Sequence, residues 1–200
     1  MDMKKLAGDK AATYVKDGMV VGLGTGSTAY HMVNAVGEMV KNGLKIQAIP
    51  TSKATEAQAR ELGIPLLTID ELDHVDLAID GVDEIDPQFN AIKGGGGALY
   101  REKVVASMAK EVIWIMDESK LVDKIGAFHL PVEIAQYGSK QAMAQMEAYG
   151  WNPVLRVRDG KTFVTDNGNY IADLHLGAGF DIQDVFSKLS GMLGVLEHGL

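Results

Sequence analysis

The chain has 200 residues, of which 46% are hydrophobic, and its 19 basic and 27 acidic side chains give a formal net charge of −8 at pH 7. This size and apolar share suffice for one large domain, or for a large and a small one, with a real core. The acidic balance argues against a nucleic-acid partner, because a phosphate backbone needs a basic patch, and the chain has no cysteine for disulfides or thiolate zinc sites.

No apolar run approaches the roughly 18 residues of a membrane span. The N-terminal sequence MDMKKLAGDKAATYV also lacks an apolar signal segment with a small-residue cleavage site. We therefore expect a cytoplasmic protein without a membrane partner.

Short apolar strands and helices alternate over the first part of the chain. The predicted elements are a helix at 4–15, a strand at 19–23, a helix at 29–40, a strand at 44–50, a helix at 51–63, strands at 64–68 and 75–80, a loop and helix at 94–111, and a strand at 112–116. Such alternation with short connections predicts a Rossmann-like α/β domain, in which helices cover both faces of a parallel sheet.

The pattern changes after residue 120. A strand at 129–135, a helix at 139–150, strands at 152–159 and 161–176, a helix at 180–191 and a strand at 195–200 give the order β-α-β-β-α-β. This order is the ferredoxin-like α+β arrangement, and Asn167-Gly168 adds a hairpin signal. We predict two domains, a Rossmann-like catalytic domain at 1–126 and a smaller ferredoxin-like α+β domain at 127–200.

The turn after the first strand, VVGLGTGSTAY, is rich in glycine and hydroxyl side chains. A dinucleotide fingerprint would need glycine in place of Ser27 and an acid after the second strand, and a Walker loop would need Gly-Lys-Ser/Thr. What remains is a strand-to-helix turn whose free N–H groups and hydroxyls suit a small anion. An ordinary structural turn is equally compatible with this pattern.

The fourth predicted strand runs into AIDGVDEID, where Asp80 and Asp83 flank a glycine. Ligands of open parallel sheets bind at the carboxyl ends of strands, which is where this reading places Asp80. Helix capping or turn stabilisation is the commonest alternative role for such aspartates. A magnesium site is a further alternative, although the spacing excludes an EF-hand and the five histidines show no metal-ligand spacing.

Four consecutive glycines follow Lys93 in the segment IKGGGGALYREK. Ordering glycine costs much conformational entropy, so a folded chain keeps such a run where it turns tightly or lies close to something. The alternatives are a loose surface loop and a backbone cradle for a ligand. If Ala98 begins a helix, Glu102 shares a face with apolar residues, namely Leu99, Ala106, Ala109 and Ile113.

A carboxylate on that face is costly to bury unless it has a partner. Glu102 would therefore either pair with a lysine or arginine, as is usual, or line a pocket. The nearby Lys93, Asp80 and Asp83 favour a polar pocket.

In their order and spacing, GLGTGST, AIDGVDEID, IKGGGGALYREK and DESK closely resemble ribose-5-phosphate isomerase of type A. These segments span most of residues 20 to 120, and the small domain is similar to the family's α+β unit. The resemblance implies interconversion of ribose 5-phosphate and ribulose 5-phosphate in the pentose phosphate pathway, with no metal or other cofactor. It also implies a homodimer or homotetramer.

The resemblance aligns Glu102 with the general base of the family. Asp80, Asp83 and Lys93 are further catalytic candidates. The implied substrate contacts are Thr25, Gly26, Ser27, Thr28, Gly81, Val82, Gly94, Gly95, Gly96, Lys120 and, as a looser match, Lys4. The family's chain returns from the small domain with a closing segment that this sequence lacks. Either the sequence is incomplete there or the protein lacks a strand of the main sheet, and we expect the former.

The proposed reaction fits these residue types. A base must move a proton from C2 to C1 of the open-chain sugar, and burial raises the pKa of a carboxylate such as Glu102 toward neutrality. The enediolate needs preorganised donors, which the glycine N–H groups and the Lys93 ammonium supply. Asp80 and Asp83 suit hydroxyl binding and ring opening.

Three other functions are alternatives to the isomerase. A non-catalytic sugar-phosphate sensor would carry a DNA-binding helix-turn-helix before the first strand and would lose the base, whereas only a short segment precedes that strand and Glu102 is present. A transferase of the CoA type would hold its nucleophilic glutamate in a different motif. An NAD-linked dehydrogenase would need an acidic residue after the second strand, and this sequence has none there.

Overall fold

The computed structural model describes residues 2–200, which form two compact units. One unit comprises the chain up to Gly81 together with Arg101–Ser119, and the other comprises Val82–Tyr100 together with Lys120–Leu200. The division into domains at 1–126 and 127–200 stays a prediction. No helix among residues 2–200 is long and apolar enough to cross a membrane.

The elements as far as residue 115 are α1 (Met3–Ala12), β1 (Val20–Leu23), α2 (Ser27–Lys41), β2 (Gln47–Pro50), α3 (Lys53–Glu61), β3 (Val75–Gly81), β4 (Glu84–Ile85), β5 (Ala91–Ile92), α4 (Leu99–Ser107) and β6 (Ala109–Ile115). They are followed by β7 (Leu130–Ile134), α5 (Ser139–Ala148), β8 (Pro153–Leu155), β9 (Val157–Arg158), β10 (Lys161–Thr162), β11 (Tyr170–Leu174), α6 (Ile182–Ser190) and β12 (Val195–His198). Two 3-10 helices lie at Ile69–Glu71 and Glu118–Lys120.

The first unit is built on a parallel sheet with the strand order β2-β1-β3-β6. Val21 and Leu23 on one face pack in a buried cluster with residues of α1, α2 and α3. Gly22 lies on the opposite face, where an added Cβ would come within 2.6 Å of Val105 in α4. Helices therefore cover both faces of this sheet, and the predicted Rossmann-like class is confirmed.

Two local predictions in this unit are wrong. The segment 64–68 is not a strand, because it makes only one parallel bridge, from Leu66 to Ala48. The helix that carries Glu102 ends at Ser107, so Ala109 and Ile113 belong to β6 rather than to its apolar face.

The second unit contains an antiparallel sheet with the order β12-β7-β11-β8. With α5 and α6 between its strands, it has the expected β-α-β-β-α-β order, and its buried core includes Ile134, Met146 and Leu174. The ferredoxin-like prediction is confirmed. Asn167-Gly168 forms a turn, but the hairpin lies elsewhere, because β10 pairs with β9.

A short antiparallel ribbon of β4 and β5 also belongs to this unit and was not predicted from the sequence. Glu84 in β4 is buried, and its carboxylate accepts backbone N–H groups from Gly126 and Phe128 at 2.7 Å each. This ribbon leads directly into the glycine run through Lys93 and so sets where the run begins.

Candidate active site

The loop after β1 lies against the end of β3 within the first unit. Gly24 is so close to Asp80 that an added Cβ would fall 2.2 Å from Oδ1 and 2.6 Å from Cα. The backbone N–H of Thr25 donates to the same Oδ1 at 3.0 Å. A glycine at position 24 is therefore required for this approach, which places the Thr25 backbone beside Asp80.

The Thr25 side chain is held by three hydroxyl residues that follow β2. Its Oγ1 lies 2.7 Å from the Thr51 hydroxyl, 2.8 Å from that of Ser52 and 3.2 Å from that of Thr55. All three residues are buried, and the Thr55 hydroxyl also donates to the Gly24 carbonyl at 3.0 Å. This hydroxyl cluster fixes the loop. Sequence reasoning missed this cluster.

The N-terminus of α2 places a lysine beside the first backbone N–H groups of the helix, which have no partner within the helix itself. Gly26 precedes the helix with φ of +119° and provides no side-chain cap, so the first N–H groups at Ser27 and Thr28 have no cap from this residue. The Lys4 ammonium lies 2.9 Å from the Ser27 hydroxyl. An ammonium at the positive end of a helix dipole is unfavourable by itself, and a bound anion would relieve both charges.

Asp80 ends the fourth predicted strand, which is β3 in the structure, and only 6% of it is exposed. Its Oδ1 accepts N–H groups from both Thr25 and Gly81. Gly81 itself has room, since an added Cβ would meet nothing closer than 3.9 Å. The aspartate therefore stabilises the turn locally, which was one of the alternatives, and it does so at the strand end where ligands bind in this fold class.

The glycine run belongs to the second unit and is an ordered turn. Gly94 has φ of +94°, and the Gly97 N–H donates to its carbonyl at 2.9 Å. The Gly95 N–H donates to Asp83 Oδ2 at 2.7 Å, and an added Cβ on Gly95 would fall 2.6 Å from Asp83 Oδ1. The alternative of a loose surface loop is therefore wrong, and Asp83 is one residue that fixes the turn.

Other parts of the second unit hold the beginning of the run. The Lys93 N–H donates to the Gly199 carbonyl at 2.8 Å. The carbonyls of Gly94 and Gly95 accept from Arg156 Nη1 at 3.2 and 3.0 Å, a contact that sequence reasoning missed. Val82, the first residue of the second unit, is also buried.

Glu102 lies in the first turn of α4, and only 4% of it is exposed. The preceding Leu99 and the following Val105 are also buried, so the glutamate lies on the buried side of the helix. A carboxylate in a first turn is favoured by the helix dipole. Lys120 is the last residue of the 3-10 helix and belongs to the second unit, with its ammonium 6.0 Å from the centre of the Phe128 ring.

The predicted site residues are thus distributed over both units. The first unit contains Lys4, Thr25, Gly26, Ser27, Thr28, Asp80, Gly81 and Glu102, and the second contains Val82, Asp83, Lys93, Gly94, Gly95, Gly96 and Lys120. Within the units, the structure pairs Thr25 with Asp80, Lys4 with Ser27, and Asp83 with Gly95. Residues 2–200 include no group of three or more His, Asp or Glu side chains placed to hold a metal ion.

Comparison with known proteins decides the family. The family model described as ribose 5-phosphate isomerase A (phosphoriboisomerase A) matches residues 47–200. The chain belongs to the ribose 5-phosphate isomerase A family. A curated ribose-5-phosphate isomerase A from Streptococcus gordonii is 54% identical over 200 residues, which are 100% of this chain and 89% of that protein. The resemblance seen in the four segments is confirmed.

Solved structures of the ribose 5-phosphate isomerase A family share the fold. The enzyme from Methanocaldococcus jannaschii is 38% identical and superposes with a TM-score of 0.93, covering 99% of this chain and 89% of that one. A D-ribose-5-phosphate isomerase solved in complex with phospho-erythronic acid is 36% identical, with the same TM-score and the same coverage.

Proposed function

We propose that this chain is an aldose-ketose isomerase that interconverts ribose 5-phosphate and ribulose 5-phosphate through an enediolate, a reaction of the pentose phosphate pathway. The observation that carries the proposal is a buried carboxylate, Glu102, on the helix that directly follows an ordered glycine turn, in a chain of this family. A family member was solved with phospho-erythronic acid. The carboxylate of that ligand is planar and anionic, as an enediolate is.

In this proposal Glu102 is the base that takes the proton from C2 and returns it to C1. The Lys93 ammonium and backbone N–H groups of the glycine run stabilise the enediolate. Gly95 and Gly97 already donate to Asp83 and to the Gly94 carbonyl, which leaves the N–H groups of Gly94 and Gly96 for this purpose.

The remaining roles concern binding and ring opening. Asp80 and Asp83 bind sugar hydroxyls and assist the opening of the furanose ring. The phosphate lies at the N-terminus of α2, and the residues that contact it there are Lys4, Thr25, Gly26, Ser27 and Thr28. Gly81, Val82 and Lys120 complete the substrate contacts.

The sensor alternative is not favoured, because a pure binding module has no use for a buried general base at Glu102. We further propose that the enzyme works in the cytoplasm as a homodimer or homotetramer. The direct test is formation of ribulose 5-phosphate from ribose 5-phosphate by the purified chain. Saturable binding of ribose 5-phosphate without turnover would instead favour the sensor.

Activity is expected to be independent of metal ions, because an ammonium and backbone N–H groups supply the electrophile that a metal would otherwise provide. The measurement is the turnover rate before and after exhaustive chelation, and the expected result is an unchanged rate. If chelation abolished turnover and magnesium or manganese restored it, Asp80 and Asp83 would become candidate metal ligands.

Replacing Lys4 with glutamine is expected to raise KM for ribose 5-phosphate about 10- to 100-fold, since a hydrogen bond to a charged group contributes about 1.5–3 kcal/mol. The turnover number should change little, because the phosphate is bound equally in the ground and transition states. Inorganic phosphate should compete with substrate and should also bind more weakly to this variant. Both constants can be measured by steady-state kinetics.

Lys5 provides the matched control for this substitution. It lies one residue further along α1, is exposed, and pairs with Asp9. Lys5→Gln should leave both constants close to those of the wild type. Equal effects of the two substitutions would indicate a general loss of positive charge and would remove Lys4 from the phosphate site.

A further inference from the structure

Arg156 is a buried arginine within the second unit, on the segment that joins β8 to β9. Only 8% of it is exposed, whereas its neighbours Val154 and Val157 are exposed. Its backbone is bonded on both sides, through its N–H to the Ile171 carbonyl at 2.8 Å and through its carbonyl to the Phe163 N–H at 2.9 Å. The backbone at Arg156 is therefore held in place, which fixes the position from which its side chain extends.

The guanidinium group of Arg156 has two sets of partners. Nε and Nη2 donate to the two carboxylate oxygens of Asp173 at 2.8 and 2.5 Å, a bidentate ion pair. Nη1 donates to the carbonyls of Gly94 and Gly95. The planar fork thus connects a carboxylate of the ferredoxin-like sheet to two successive peptides of the glycine run.

His129 lies beside this pair, with Nε2 3.4 Å from Asp173 Oδ1 and its ring stacked on Phe128 at 4.2 Å. Burial lowers the pKa of His129 below its ordinary value of 6.5, and Arg156 and His175 lower it further, while Asp173 opposes them. The imidazole is therefore neutral near pH 7, and Arg156 is the permanent charge that balances Asp173.

The orientation of the peptides follows from these contacts. In a trans peptide the C=O and the next N–H point in opposite directions. Binding of the Gly94 carbonyl by Arg156 turns the Gly95 N–H away from the arginine, and this N–H is the one that Asp83 accepts. Binding of the Gly95 carbonyl turns the Gly96 N–H away in the same manner.

The far end of the run is restrained as well. Phe163 lies against Gly97, where an added Cβ would come within 2.6 Å of the ring, and Arg158 stacks on the same ring at 4.3 Å. Arg158 also approaches the Gly96 carbonyl, although its Nη2 is 3.4 Å away. Arg156 makes the shorter contacts and is the buried member of the two.

We propose that Arg156, held by Asp173, is a positioning residue for the isomerase reaction. It prevents the Gly94 and Gly95 peptides from flipping, so that the Gly95 N–H stays on Asp83 and the Gly96 N–H, rather than a carbonyl oxygen, is offered to the developing enediolate. A flipped carbonyl would place negative partial charge where the reaction generates anionic charge. This inference rests on the proposed function, and it adds a residue that contacts the glycine run and not the substrate.

The central variant is Arg156→Lys, which keeps a positive charge beside Asp173 but lacks the fork that reaches two carbonyls. The expected result is a kcat about 10- to 100-fold lower, as for a displaced catalytic group, with KM changed less than about threefold. Arg158→Lys is the control, because its side chain is exposed and its carbonyl contact is long. It should behave like the wild type.

A second measurement does not depend on activity. Amide hydrogen exchange of residues 93–98 should be faster in Arg156→Lys than in the wild type and in Arg158→Lys, since the Gly95 N–H loses its fixed orientation toward Asp83. Arg156→Gly adds a rescue test. Guanidinium ion should restore part of kcat, whereas methylammonium, which has the same charge without the fork, should not.

The outcomes separate the two proposals. An inactive wild type would refute the isomerase function, and hydrogen exchange would then decide the role of Arg156 alone. An active wild type, together with an Arg156→Lys variant whose kcat and exchange are unchanged, would overturn the positioning role. A variant with a lower melting temperature but unchanged kcat and unchanged hydrogen exchange would overturn it as well. If Arg156→Lys fails to fold, rescue of Arg156→Gly by guanidinium ion decides the question.

Discussion

Replacing Glu102 with glutamine is expected to lower kcat by at least about 10²-fold, the lower end of the contribution of general base catalysis. Glutamine preserves the size and nearly the shape of the buried side chain, so the loss reflects the missing base and not a cavity. KM should change much less, because the lost interaction is made chiefly in the transition state. Steady-state kinetics on ribose 5-phosphate measures both constants.

A solvent isotope experiment tests the same residue independently. If Glu102 is the base, as we propose, the proton taken from C2 rests on its carboxylate and exchanges with water, so product formed in deuterated water by the wild type should carry label at C1. Glu61→Gln, an identical change at an exposed position on α3, is the control and should retain full activity. A folded Glu102→Gln variant with a near wild-type rate would remove Glu102 from the mechanism.

Replacing Gly24 with alanine is expected to be the most damaging small substitution in the first unit. The new Cβ would fall 2.2 Å from Asp80 Oδ1 and 2.6 Å from Asp80 Cα. Neither strand can readily retreat, because Leu23 pairs with Ile79 and the Gly24 N–H donates to the Ile79 carbonyl at 2.9 Å. Overpacking of this kind costs about 1–3 kcal/mol, which lowers the melting temperature by several degrees, about 2–4 °C for each kcal/mol.

Activity should fall with stability in Gly24→Ala, since the contact that holds Thr25 against Asp80 is the one that is displaced. The control for stability is Gly81→Ala at the end of β3, because an added Cβ there would meet nothing closer than 3.9 Å. Thermal unfolding followed by circular dichroism compares the two variants. Equal melting temperatures would show that the loop after β1 relaxes more easily than its contacts indicate.

The helices and strands of both units were predicted from the sequence where the hydrophobic periodicity was strong, but two local predictions were wrong. The apolar run at 64–68 suggested a strand, yet Pro65 has no N–H to donate and only Leu66 forms a bridge. The helical spacing after Ala98 continued through Ile113, whereas the chain switches to β6 at Ala109, where tertiary pairing with β3 overrides local pattern. Alternation alone contains no information about that competition.

The candidate site shows the same limit. Residues that lie close together in one motif, such as Asp80 and Asp83, were found from the sequence, because strand ends and glycine runs are local signals. Arg156 was not found, since strand alternation would bury the neighbouring valine and expose the arginine. In the structure Val157 is exposed and Arg156 is buried. The arginine is buried because it binds Asp173 and the carbonyls of Gly94 and Gly95, which lie 62 and 61 residues earlier in the chain.

The second unit combines two separate segments of the chain, and this affects the order in which the protein folds. Residues 82–100 are synthesised early, but their tertiary partners, including Gly199, Arg156 and Phe163, emerge from the ribosome much later. Contacts of such high sequence separation form slowly, because the intervening chain must first be closed into a loop. The parallel sheet is complete by Ile115 and can assemble without them. A nascent chain can therefore bury its first core while the glycine run is still unstructured.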